Sequence, residues 1–214
     1  MENNRTSLAD DLPLKSWTTQ AWAHRMLQDP MALLNDHAHL ERKACTNALD
    51  LIPQWPRFKG VDPQWIAPKW SAELVSISKD EIEHMQLVLK ILHARGGYIS
   101  RGHINDYGKG LRNIVRKGKG HEELIDRLMV CALIEARSCE RFSILGQVCE
   151  DQELRRLYRG LYASEHSHYR VFLELATFAT KDQSAVDLRW AEMLDLEAQI
   201  LANQNQYVGV HSGE

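Results

Sequence analysis

The sequence predicts an all-α fold, a four-helix bundle with additional helices at its N- and C-terminal ends. Three observations lead there. All six prolines, at 13, 30, 53, 56, 63 and 68, fall in the first third of the chain, so the long remainder is free to form helices. Four segments carry apolar residues at alternating steps of four and three, the seam pattern of packed helices. No run of residues reads as a strand, and there is no internal repeat or low-complexity tract.

End signals place each helix. A short one precedes the bundle, from about Thr18 to Leu27. Asp29-Pro30 reads as an N-cap followed by proline in the first turn, opening a helix that must end near Ile52, before Pro53. A connection with Trp55 and Trp65 follows. Pro68 opens the second bundle helix, and Gly96-Gly97 stops it. The third runs from about Glu122 to Cys149, with Glu122 and Glu123 at its positive N-terminal end. The fourth covers about Gln152 to Thr180, and Asp182 caps a further amphipathic helix reaching about Gln204. The link between the second and third bundle helices, residues 96 to 121, is long. Short links join antiparallel neighbours, whereas a link of this length suits the crossover of a ferritin-like bundle. The expected organisation is one domain over residues 1–214, with its core at about 30–180 and the last helix at about 182–204.

Composition narrows the function less than the pattern does. A hydrophobic fraction of 44% and a charged fraction of 26% suit an ordinary globular domain, and a net charge of −3 argues neither for nor against nucleic acid. No apolar run approaches the ~20 residues that span a bilayer. Met1-Glu2-Asn3-Asn4-Arg5 lacks the basic-then-apolar start of a secretory signal. The expectation is a cytoplasmic protein with no membrane partner. Cys45, Cys131, Cys139 and Cys149 form no Cys-x-x-Cys pair, so neither a zinc ribbon nor a thioredoxin-like motif is present, and buried free thiols are expected.

The chemistry lies where the stripes are broken. The first stripe is Leu34, Ala38, Glu41, Cys45, Ala48 and Ile52; the second is Trp70, Leu74, Ile77, Glu81, His84, Val88 and Ile91. The third is Leu124, Leu128, Cys131, Glu135, Ser138, Phe142, Leu145 and Cys149, and the fourth Leu154, Tyr158, Leu161, Glu165, His168, Phe172, Leu175 and Ala179. Each is interrupted near mid-helix by a glutamate, so all four glutamates fall in one layer whichever way the helices run. Glu81 and Glu165 are each followed by histidine at i+3, which brings both side chains to one site. A Glu-x-x-His pair alone is common. Two of them on apolar stripes, matched by two lone core glutamates, are not. Carboxylates in a core are costly unless paired, and no lysine or arginine breaks these stripes. Divalent cations can compensate them. Four carboxylates and two imidazoles are too rich in oxygen for structural zinc and favour a pair of metals, iron first and manganese second. This is the di-iron carboxylate pattern of ferritin-like bundles. The expected metal ligands are Glu41, Glu81, His84, Glu135, Glu165 and His168.

Neighbouring residues carry weaker expectations. His37, one turn before Glu41, reads as solvent-facing or as a partner of that ligand. Asp80 reads either as an exposed charge or as a carboxylate that orients a ligating histidine. His39, His93 and His103 read as surface or loop residues. In the crossover, Arg101, Lys109, Arg112, Arg116, Lys117 and Lys119 face a single acid, Asp106, in a chain that is otherwise acidic. Seven glycines, at 96, 97, 102, 108, 110, 118 and 120, suggest an adaptable loop. Such a run is either a solvated loop or a phosphate-binding surface, and nucleic acid is as good a reading as solvent.

Several segments together resemble the MiaE family of bacterial tRNA hydroxylases: Leu12-Pro-Leu-Lys-Ser-Trp17, Asp36-His-Ala-His-Leu-Glu-Arg-Lys-Ala44, Asp80-Glu-Ile-Glu-His84, Glu135-Ala-Arg-Ser-Cys-Glu-Arg141 and Ser164-Glu-His-Ser-His168. The resemblance runs from about Leu12 to Gln204. It implies a di-iron, O2-dependent monooxygenase that hydroxylates the isopentenyl side chain of 2-methylthio-isopentenyl-adenosine next to the tRNA anticodon. The six residues above match that family's metal ligands. The resemblance further implies hydrogen removal from an allylic methyl and return of a hydroxyl. Two electrons per turnover must come from a separate reductase or ferredoxin, since no flavin, Fe–S or dinucleotide motif is present. Soluble di-iron monooxygenases commonly carry threonine one turn after the third-helix glutamate. Here Cys139 stands there, so no hydroxyl-assisted step is assumed. The alternative is an iron-binding or iron-storage bundle of the ferritin or rubrerythrin kind without a tRNA substrate, which leaves the basic crossover without a purpose; a bundle serving only as a binding module is the third possibility. Particle size in solution and iron retention discriminate among them.

Overall fold

The computed structural model describes residues 11–214; the segment Met1–Arg5 lies outside the described residues. They form seven α-helices and no strand: α1 Gln20–Met26, α2 Pro30–Leu51, α3 Ala67–Ala94, α4 Asp106–Asn113, α5 His121–Val148, α6 Gln152–Thr180 and α7 Gln183–Ala202. No described helix is long and apolar enough to cross a membrane.

The end signals act as their chemistry requires. Asp29, Asp151 and Asp182 cap α2, α6 and α7, each accepting a first-turn N–H on its carboxylate. α3 closes on Gly96, whose φ of 80° is left-handed. Gly96 N–H bonds His93 O, and Gly97 N–H bonds Leu92 O, the paired bonds that end a helix on glycine.

Two apolar clusters fix how the helices run. One holds Ala48, Trp70, Leu74, Ile77, Leu128, Cys131, Phe172 and Leu175. The other holds Leu34, Ala38, Val88, Ile91, Phe142, Leu145, Tyr158 and Leu161. α2 and α6 pass from the second cluster to the first, whereas α3 and α5 pass from the first to the second. α3 and α5 are therefore parallel, and the link between them must return along the whole bundle. That requirement is the reason for its length. The four stripe glutamates lie along their helices between the residues of the two clusters.

The crossover is more ordered than its glycines suggested. It contains α4, capped by the Asn105 side chain, which accepts from Gly108 N–H at 2.8 Å. Tyr107 and Leu111 bury α4 in the first cluster. Gly110 serves close packing: a Cβ there would meet Ile200 Cγ2 of α7 at 2.7 Å. α4 was invisible to apolar periodicity because only two of its eight residues are buried.

The tail beyond α7 turns back into the protein. Arg141, fully buried on α5, donates to the carbonyls of Val210 and Ser212, and Trp22 Nε1–H donates to Ser212 Oγ at 2.9 Å. Gly213 N–H bonds Asn205 O at 2.9 Å.

Candidate metal centre

The bundle brings all six stripe residues into one layer. Side-chain donor atoms of Glu41, Glu81, His84 and Glu165 lie within 4.8 Å of one another, and so do those of Glu81, Glu135, Glu165 and His168. Glu81 and Glu165, the glutamates of the two Glu-x-x-His pairs, belong to both groups. The lone glutamates and the histidines each belong to one. That sharing suits two adjacent cations, which the six side chains together would hold.

The donors face one another with little else to satisfy them. His168 Nδ1 is 2.9 Å from Glu81 Oε1, and His84 Nδ1 is 3.2 Å from Glu165 Oε1 and 3.8 Å from Glu41 Oε2. Among the described residues, Glu81 Oε1 and Oε2, His84 Nδ1, Glu165 Oε1 and His168 Nδ1 are buried without a hydrogen-bond partner. Native cores pair nearly all such atoms. Burial raises the carboxyls of Glu41, Glu135 and Glu165 above their ordinary range. It pushes Glu81 up to about 8, with the facing Glu41 adding to the effect. His168 is raised to about 9: burial opposes its charge, but the close contact with the Glu81 carboxylate and the surrounding carboxylates outweigh it. A protein without cations must protonate this layer. Cations replace those protons, so the donor set fits a pair of divalent metals.

The residues around the six divide into two groups. Asp80 Oδ2 lies 3.3 Å from Nε2 of His168, the ring nitrogen opposite the one that faces the cluster. His37 is fully buried, and its Nε2 is 2.5 Å from Glu41 Oε1. Burial lowers its pKa to about 3, so a neutral ring donates to the Glu41 carboxylate and holds it in place. Cys139 is buried with its thiol toward Tyr162 O, at 3.5 Å. The reading of His39 as a surface or loop residue is corrected, whereas His103 does lie in the loop before α4. His39 is 4% exposed, and the two rings stack at 4.7 Å. His103 bridges Asp36 Oδ1 and Lys43 Nζ, each at 2.7 Å. This cluster pins the start of the crossover to α2. His93 is exposed, as read.

The basic residues separate as well. Arg101, Lys109, Arg112, Lys117 and Lys119 are exposed. Arg116 is committed elsewhere: its Nε and Nη2 bind the buried Asp126 carboxylate at 3.0 and 2.8 Å. It fastens the crossover to α5 and has little capacity left for phosphate.

A cavity of about 240 Å³ connects the crossover to the layer of glutamates. Lys43, Arg112 and Arg127 are among its lining residues, Leu40, Val130, Ile134 and Phe172 supply apolar walls, and Glu135 lines it too. Asn105 of the crossover and His211 of the tail complete it. Sequence reasoning missed Lys43, Arg127 and His211. They come from α2, α5 and the tail, and no spacing rule connects three such distant positions.

Known proteins resemble this chain in both sequence and fold. A family model described as tRNA-(MS[2]IO[6]A)-hydroxylase (MiaE) matches residues 8–212. A Pseudomonas putida protein named tRNA 2-(methylsulfanyl)-N(6)-isopentenyladenosine(37) hydroxylase is 34% identical over 199 residues, covering 92% of this chain and 90% of its own. A Salmonella typhimurium protein of the same name is 28% identical over 239 residues, covering 92% and 86%. A solved structure titled Protein 43 with aldehyde deformylating oxygenase activity, from Synechococcus, superposes with a TM-score of 0.82 at 30% identity, over 94% of this chain and 96% of that one. With a family match over nearly its whole length, on a bundle that gathers four buried glutamates and two histidines, this chain belongs to the MiaE family of tRNA hydroxylases.

Proposed function

We propose that this protein hydroxylates the isopentenyl side chain of 2-methylsulfanyl-N6-isopentenyladenosine at position 37 of tRNA, using two iron ions and dioxygen in the cytoplasm. The observation that carries the reading is the cavity. It has cationic residues, apolar walls and Glu135 of the metal layer in its lining. A prenylated base on a phosphate backbone needs those same three environments. Phosphates bind Arg and Lys, the hydrocarbon takes the apolar wall, and the reacting carbon reaches the metal.

Glu41 and His84 would hold one iron, Glu135 and His168 the other, and Glu81 and Glu165 both. The irons would supply the oxidising chemistry that breaks an allylic C–H bond. The chain's own residues do the rest. His37 fixes the Glu41 carboxylate by donating from Nε2. Asp80 fixes the His168 ring through Nε2, leaving Nδ1 for the metal. Leu40, Val130, Ile134 and Phe172 keep water from the reacting carbon. Lys43 and Arg127 hold the entering nucleotide, and Arg101, Lys109, Arg112, Lys117 and Lys119 hold flanking phosphates. Electrons come from a separate reductase or ferredoxin.

Mass spectrometry of nucleosides tests this directly. Purified iron-loaded protein, given tRNA bearing the prenylated nucleoside, dioxygen and a reductant, should convert it to a product heavier by one oxygen. Full retention of the starting nucleoside under those conditions would overturn the reading.

A further inference from the structure

His211 lies nine residues beyond the end of α7, where chain ends are ordinarily loose, yet it is 1% exposed and lines the cavity that Glu135 also lines. Its position is fixed from three sides. Nε2 is 3.0 Å from Ser138 Oγ on α5. The ring of Tyr107 on α4 lies against it, with centroids 4.8 Å apart. Arg141 binds the carbonyls of Val210 and Ser212, its two chain neighbours. Burial and the nearby Arg141 and Arg137 keep the imidazole neutral, so it offers one donor and one acceptor nitrogen. Ser138 takes one of them. The other, Nδ1, is buried and has no hydrogen-bond partner among the described residues. An unpaired ring nitrogen on a cavity-lining side chain held this firmly marks a place reserved for a ligand.

Resting on the substrate reading above, we propose that His211 is the residue that binds the purine ring of the modified adenosine, donating from Nδ1–H to a ring nitrogen of the base. The direction follows from the substrate's chemistry. Its purine has several ring nitrogens that accept and one exocyclic N–H, and that one carries the prenyl chain. Nδ1 therefore serves best as donor, with the Ser138 hydroxyl donating to Nε2. His211 and Glu135 line the same cavity, so a base held at His211 presents its prenyl group toward the metal layer. The tail after α7 is then part of the substrate site, and Arg141 acts on the base only through the tail it holds.

The test measures binding of anticodon stem-loops with and without the prenylated, methylsulfanylated adenosine. Asparagine can place its amide where Nδ1 lies, and glutamine can place its amide where Nε2 lies. His211→Gln should therefore keep Ser138 and lose the base. Affinity for the modified loop should fall about 3- to 10-fold, the loss of one hydrogen bond, with a smaller loss for the unmodified loop, which lacks the prenyl chain that seats the base beside His211. His211→Asn should keep most of the affinity for the modified loop. Wild-type protein supplies the second arm, which needs no variant to fold. Among modified loops whose adenine is replaced by its 1-deaza, 3-deaza or 7-deaza analogue, one should bind as weakly to wild type as the parent loop binds to His211→Gln. Unchanged affinity of His211→Gln for the modified loop, equal losses in both variants, or equal binding of all three analogues and the parent would overturn the assignment. Hydroxylation of the parent loop by wild type, measured alongside, separates this failure from failure of the substrate reading.

Discussion

Helix α5 carries two buried charged clusters within two turns of each other, and they are built on opposite terms. Glu135 belongs to the first. It sits among three other carboxylates and two imidazoles, five of whose donor atoms lack a hydrogen-bond partner among the described residues. Arg137 and Glu140 belong to the second. Arg137 is 0% exposed and binds Glu197 at 2.9 and 3.0 Å, Glu140 at 3.1 Å and the Ser16 carbonyl at 3.2 Å. Glu140 also accepts from Thr18 N–H at 2.7 Å, and Glu197 from Tyr107 Oη–H at 3.0 Å. In the second cluster opposite charges meet and their hydrogen bonds are made within the protein. It joins α4, α5, α7 and the N-terminal segment and asks for nothing further. In the first, like charges meet and donors are left over. Burial alone therefore does not mark a functional group. Like charges gathered in a core without internal partners do.

Removing ligands should separate the two clusters most sharply. Glu135→Ala and His168→Ala should each lose bound iron and all hydroxylation while remaining folded, measured as metal content and circular dichroism on the same samples. Iron content near two per chain in both variants would end the assignment. Glu197→Leu should behave in the opposite way. It strips Arg137 of its bidentate partner in the core, which should cost about 3–5 kcal/mol of unfolding free energy, while any folded fraction keeps its iron. In the metal-free protein near pH 8, Glu135→Leu should not be destabilised by comparison, because it removes an uncompensated carboxylate. Denaturant titration of both variants shows which cluster stabilises the fold.

The same contrast has a pH signature. In metal-free protein Glu81 titrates near 8 and His168 near 9, both above their values in an unfolded chain. The folded state then binds more protons than the unfolded one, so stability falls as pH rises. His37, held near 3 by burial, contributes in the opposite direction, but only below about pH 6.5, where the unfolded chain takes up its proton. Between pH 6.5 and 8 the loss therefore stands alone. At about 1.4 kcal/mol per proton per pH unit, Glu81 by itself should cost the metal-free protein about 2 kcal/mol over that window. Iron-loaded protein should show no such loss, since metal binding releases protons and is favoured at higher pH. Parallel melting-temperature curves for the two forms would contradict a shared buried site.

How much of this was legible in the sequence depends on whether a feature repeats along a helix. The four long helices and their mid-helix glutamates were legible because periodicity and capping are local. Glu41, Glu81, Glu135 and Glu165 lie in one layer because each stands near the centre of its helix. α4 was not legible. It buries only Tyr107 and Leu111, and its glycines read as loop although Gly110 is there to let α7 approach. His39 was misread because its partners, Ser100 and the His103 ring, are joined to it by the fold and not by spacing. His211 gave no signal at all. A single histidine after the last helix acquires meaning only when the tail is seen to return to α5.

The crossover offers the smallest expected effect and the finest division between binding and structure. Its six cations looked alike in the sequence, but Arg116 faces inward onto Asp126, whereas Arg112, Lys117 and Lys119 face solvent. Replacing the latter three with alanine should weaken tRNA binding and flatten its salt dependence. For every phosphate that the variant no longer neutralises, the slope of log affinity against log salt should drop by ~0.7 to 0.9. Iron content and melting temperature should not change, because none of the three takes part in a buried ion pair. Hydroxylation of a free modified nucleoside should fall less than that of whole tRNA, since only the larger substrate gains binding energy from the loop. Arg116→Ala should do the reverse, lowering the melting temperature with little change in salt slope, because it removes one of the two arginines that bind Asp126. If Arg112, Lys117 and Lys119 could be removed without altering either affinity or slope, the outward cations would be solvated like any other surface charge, and recognition would fall to Lys43 and Arg127 at the cavity alone.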